Sequence, residues 1–139
     1  MFPVLSFHGI PADKHAVIRA MPRFMLLIVE PNGQRLERSE AEGREAYASM
    51  QRWAEALKAE GRLHGVESLT SLEHASRVAV RGGRAQVLDG PFAEAKEMVG
   101  GFFLVECETH ADAVALATHC PAAAWASVEV RSLGPCFVR

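Results

Sequence analysis

The chain has 139 residues, with 15 Lys and Arg against 17 Asp and Glu, and a formal net charge of −2. At 49% hydrophobic and 23% charged it has ordinary globular composition and the length of one domain, long enough to close a core and too apolar for general disorder. Basic residues lie among acidic ones, as in Glu37-Arg38 and Glu42-Gly43-Arg44-Glu45, without a basic stripe, so nucleic acid is not an expected partner.

Residues 1–20 carry Pro3, Gly9 and Pro11 and no long apolar h-region, so a secretory signal is not expected. They read as an N-terminal extension, with Met21 as an alternative start, ahead of a domain over residues 21–139. No apolar run approaches the roughly 20 residues of a membrane span. Cys107, Cys120 and Cys136 are odd in number and widely spaced. They suit neither a disulfide framework nor a zinc site. A cytoplasmic protein without metal or cofactor is the expectation.

Phe24-Met25-Leu26-Leu27-Ile28-Val29 is continuously apolar and predicts a central strand covered on both faces. Pro31-Asn32-Gly33 breaks it. Ser39 with Glu42 forms a capping box. It opens a helix over residues 39–60, whose stripe of Ala46, Tyr47, Met50, Trp53, Ala54 and Leu57 faces the sheet. Gly61 ends it. Residues 63–69 predict a strand with a bulge near Gly65. Residues 77–81 and 84–88 flank Gly82-Gly83 and predict a hairpin. In it Val80 stands opposite Ala85, Val78 opposite Val87, and Arg81 opposite Arg84. After the Asp89-Gly90-Pro91-Phe92 turn, a second buried strand begins at Gly100-Gly101. Thr109 with Asp112 opens a second helix, ended by Cys120-Pro121. Residues 127–133 alternate as a half-buried final strand.

The order β-α-β, hairpin, β-α-β predicts a ferredoxin-like α+β fold, an antiparallel sheet with two helices on one face. The other sheet face stays apolar and needs cover. A second copy is the simplest cover, giving a homodimer.

The string Asp89-Gly90-Pro91-Phe92-Ala93-Glu94-Ala95-Lys96-Glu97, followed by Gly100-Gly101-Phe102-Phe103-Leu104-Val105, resembles the signature of the YCII-related family in its DGPF branch. Phe24 to Ile28, Gly61, Gly82-Gly83, Cys120-Pro121-Ala122-Ala123 and Ser127-Val128-Glu129-Val130-Arg131 extend the resemblance over about residues 23–133. It implies a dimeric α+β barrel, with an architecture like that of muconolactone isomerases. It also implies a functional link to extracytoplasmic-function sigma factors in bacterial stress circuits. A few relatives are similar to lyases or dehydrochlorinases that use a His-Asp pair, with the histidine on the first helix. This chain departs from that pattern: it has no histidine between residues 39 and 60, and Tyr47 and Trp53 occupy the inward stripe instead.

Asp89 is the first candidate for chemistry, either as a general base at the cleft between sheet and loop or as an Asx-turn residue. His64, near Glu67, is the second, as a proton shuttle or as an exposed strand-start residue. Tyr47, Arg77, Phe92, Lys96 and Glu97 are candidate ligand contacts. Tyr47 would reach a pocket with its hydroxyl. Arg77 would fork onto a carboxylate, of a ligand or of Asp89. Phe92 would be a pocket wall or a core plug, and Lys96 and Glu97 a polar cluster or a solvated face. Two functions follow: a small-molecule lyase or isomerase using Asp89, or a non-catalytic ligand- or partner-binding module in signalling.

Overall fold

The computed structural model describes residues 21–139; the extension assigned to residues 1–20 lies outside them. The elements run β1 (Arg23–Pro31), α1 (Glu40–Ala59), β2 (Leu63–Ser68), β3 (Ser76–Arg81), β4 (Arg84–Asp89), β5 (Glu97–Glu106), α2 (His110–Ala117) and β6 (Ser127–Ser132). Short 3-10 turns occupy Gln34–Glu37, Leu72–His74 and Pro121–Ala124. Four strands form an antiparallel sheet in the order β2-β5-β1-β6, and β3-β4 stands apart as a two-stranded arm. With the arm removed, the order is that of a ferredoxin-like sheet. No helix among the described residues is long and apolar enough to cross a membrane.

Phe24, Leu26 and Ile28 of β1 and Phe103 and Val105 of β5 share one core with Ala54 and Leu57 of α1 and Ala113, Leu116 and Ala117 of α2. Both helices therefore cover the same sheet face. Trp53 meets Phe103 edge-on, with centroids 4.9 Å apart, a favoured aromatic geometry. The alternate residues of the same strands, Met25, Leu27, Val29, Phe102 and Leu104, are only half-buried. The expectation that β1 is covered on both faces is thus met on one face by the chain itself.

Local signals fix the ends of the elements. The Ser39 hydroxyl accepts from the Glu42 N–H, and the Glu42 carboxylate accepts from the Ser39 N–H. The Thr109 side chain accepts from the Asp112 N–H and starts α2. That helix ends at Ala117, and Pro121 opens a separate 3-10 turn. β5 starts at Glu97 rather than at Gly100, because Glu97 and Met98 pair with Pro31 and Glu30. The polar Glu97, at the end of a polar stretch, hid the start of the strand. The arm has the expected register, Val80 with Ala85, Val78 with Val87 and Arg81 with Arg84. Gly82 and Gly83 turn it at φ 57° and 76°, backbone that a β-carbon would strain.

Candidate functional site

A cleft of about 910 Å³ opens between the first half of α1 and the end of the sheet where β1 runs out. Its floor is apolar, with Ile28 and Phe103 from the sheet and Met50 and Ala54 from α1. Its rim carries Arg35, Arg38, Tyr47 and Trp125.

One wall is built around a buried charge. Glu30 ends the inward-facing row of β1 and is 4% exposed. A carboxylate there requires a partner, and Arg35 supplies a fork. Its Nε donates to Oε1 at 2.7 Å and its Nη2 to Oε2 at 3.2 Å. The same guanidinium donates to the carbonyls of Leu69 at 2.8 Å and Gly100 at 3.3 Å. Arg35 thus ties the end of β1 to β5 and to the residue just past β2. Gly100 is the extra residue of a bulge, since Ile28 pairs with Gly101 and Val29 with Val99. A β-carbon on Gly100 would overlap the Glu30 carboxylate, so only glycine lets that side chain lie flat.

Arg38 stands at the other side of the mouth. Its guanidinium lies over the Trp125 ring, 5.3 Å from the centroid, a cation–π contact. Its Nη2 donates to Gln34 Oε1 at 3.2 Å, and Gln34 Nε2 donates to the Trp125 carbonyl at 2.8 Å. Helical spacing puts Tyr47 in the inward stripe, but the residue is 53% exposed and sits on the cleft rim. The buried residues of α1, Ala54 and Leu57, lie in its second half, and the cleft opens beside the first.

The other sequence candidates fall in two further places. Asp89 ends β4, where Oδ1 accepts from the Ser76 hydroxyl at 2.7 Å, across the base of the arm. Arg77 pairs with Glu94 at 3.0 Å rather than with Asp89. It also covers the Phe92 ring, 3.7 Å from the centroid. Phe92 is 3% exposed, the plug rather than the wall. The Glu94 carboxyl is held below the ordinary carboxylate range by its own backbone N–H and then by Arg77. Lys96 and Glu97 are exposed. His64 is the bulge residue between Leu63 and Gly65, and its Nε2 lies 3.0 Å from Glu106 Oε1, not against Glu67. Glu106 shares the parity of Phe102 and Leu104, so this pair sits at the sheet face that no helix covers. None of the hydrogen bonds or ion pairs of the described residues joins His64 to Asp89, and neither lines the cleft.

Glu30, Arg35, Arg38 and Trp125 were not among the sequence candidates. One signal pointed to the first two. Gly100-Gly101 interrupts an otherwise apolar strand, and glycine inside a strand marks a bulge or a close approach. The partner that approaches is visible only once β1 and β5 are in register.

Burial raises the Cys120 thiol above its ordinary range, which keeps it in the unreactive form. Cys107 is also buried, and Arg62 Nη2 lies 3.7 Å from its sulfur.

No curated protein matches the chain. Residues 23–135 match the model of the YCII-related domain, a span that takes in the whole sheet, both helices, the arm and every residue of the cleft, and the chain belongs to the YCII-related family.

Proposed function

We propose that this protein is a homodimeric small-molecule-binding domain that holds its ligand in the cleft between α1 and the sheet. The observation that carries the reading is the cleft itself, with an apolar floor and a few polar groups fixed by their own partners at the rim. Ligand sites of small domains have this character, with volumes of roughly 300–1,000 Å³. The homodimer is supported by the half-buried apolar row on the opposite face, Met25, Leu27, Val29, Phe102 and Leu104. Two copies stacked by that row leave both clefts open, since each lies on the helix side.

Acid–base chemistry of the lyase or isomerase type, with Asp89 as base and His64 assisting, has less support. The two residues are on different elements, and the cleft contains no histidine. An enzymatic role for Asp89 would act at the base of the arm, where Ser76 already orients one of its oxygens.

A second reading, a partner-binding module in a bacterial stress or sigma-factor circuit, is favoured by the arm. Val78, Val80 and Val87 share one face of it and are 68%, 59% and 64% exposed. Exposed apolar ribbons of this kind mark contact surfaces.

A fragment titration followed by backbone amide shifts of the full chain separates the two. Ligand binding in the cleft moves the amides of Arg38, Tyr47, Gly100 and Trp125 together. Shifts confined to residues 76–89, or absent at the cleft for every fragment, would contradict the cleft reading.

A further inference from the structure

Resting on the cleft reading above, we infer that the ligand presents one carboxylate to Arg38, with an apolar body packed on Ile28, Met50 and Phe103. Three arginines line the cleft, and they differ in what remains free. Arg35 spends its donors on Glu30 and on the carbonyls of Leu69 and Gly100. Arg44 is paired with Glu40, and both side chains stand in solvent, 78% and 79% exposed. Arg38 has no carboxylate partner among the described residues, and its single side-chain hydrogen bond, from Nη2 to Gln34, leaves Nε and Nη1 unspent.

Arg38 is also held in place. It is half-buried, stacked on Trp125 and tethered by Gln34, which is itself fastened to the Trp125 carbonyl. A planar fork fixed before binding suits a carboxylate, and little rotamer entropy is lost on engaging it. On α1, the Tyr47 hydroxyl makes no hydrogen bond among the described residues and offers a second donor at the rim.

The neighbouring charges limit the ligand to one negative charge. Four glutamates also line the cleft: Glu30 and Glu40 are paired with Arg35 and Arg44, while Glu55 and Glu67 have no ion-pair partner among the described residues. A phosphate monoester carries about −1.5 to −2 at neutral pH, and its second charge would meet these carboxylates rather than a free cation. A neutral ligand would leave the Arg38 donors without the charged acceptor they are arranged for. A monocarboxylate with a ring or short chain satisfies the guanidinium and fills the apolar floor.

The test uses the full chain, with benzoate, cyclohexanecarboxylate and octanoate each compared with its primary amide, and with phenyl phosphate as the dianion. Binding is read from amide shifts at the cleft. The acids are expected to bind on the order of 10–100-fold more tightly than the amides. Arg38→Gln should bring acid and amide to equal affinity, Arg38→Lys should retain part of the preference, and Tyr47→Phe should weaken the acids severalfold. If the amides bind as well as the acids, if the preference survives Arg38→Gln, or if phenyl phosphate binds more tightly than benzoate, the carboxylate inference is wrong while the cleft remains a binding site. If neither acids nor amides move the cleft amides, both fail. Should Arg38→Gln lose its folded spectrum, Arg38→Lys and Tyr47→Phe carry the comparison.

Discussion

Glu30 is the residue on which the cleft wall turns. An apolar strand that ends in an inward-facing carboxylate would be unstable by itself, and Arg35 offsets the desolvation with a two-point fork. The Glu30 side chain is 6% exposed and that of Arg35 30%, so the pair is shielded far more than a surface bridge. Arg35→Met removes the fork and strands the carboxylate. Urea unfolding of that variant should show a loss of about 3–5 kcal/mol, the range for breaking a buried pair. Adding Glu30→Gln should recover much of the loss, because no bare charge is then buried. A single variant within about 0.5 kcal/mol of the parent, the ordinary range of a surface substitution, would mean the pair is surface-like and the wall is held by other contacts. This part of the site was hard to read from the chain. Arg35 is only five residues from Glu30, but the contact depends on the bulge at Gly100, and a bulge shifts every later pairing by one. Asp89, by contrast, stood out in sequence because a Gly-Pro turn follows it, and the structure gives it a local bond to Ser76 at the base of the arm.

At the scale of elements, the sequence carried most of the fold, for a physical reason. Caps and turns are local. Ser39 and Glu42 satisfy each other's backbone donors, Thr109 caps α2, and Gly82-Gly83 supplies the left-handed backbone of the hairpin tip. Each needs only a few neighbouring residues to be recognised. The start of β5 was less legible because Glu97 is polar and enters the sheet only through pairing with Pro31. The capping box also sets a pH dependence for α1. The Ser39 backbone N–H, and then its hydroxyl, hold the Glu42 carboxyl below the ordinary carboxylate range. The ionised form is therefore the one that supports the helix. Its contribution is present above the ordinary glutamate range and is lost as pH falls through the lowered value. Acid titration of thermal stability should show the parent losing more than Glu42→Gln, and parallel curves would contradict this origin. Ser39→Ala should lower stability by about 1 kcal/mol, the usual cost of losing a helix N-cap.

At the scale of the whole molecule, the two faces of the sheet differ in kind. One is sealed by α1 and α2 except where the cleft opens. The other presents Met25, Leu27, Val29, Phe102 and Leu104 as a half-buried row, with Glu129 and Arg131 of β6 on one side and His64 and Glu106 on the other. An apolar centre within a charged rim is the anatomy of a protein interface. A stable pairing of copies buries roughly 1,200–2,000 Å² in all. If the proposed dimer forms by this row, a charge at its centre separates the copies without touching the cleft, so Leu27→Glu should give a folded monomer that keeps the proposed cleft response. The most direct measurement is the molar mass in solution at micromolar concentration, by light scattering on the eluting peak. Stacking of two copies predicts twice the chain mass of 15.1 kDa. A folded species of 15.1 kDa across that range would contradict it.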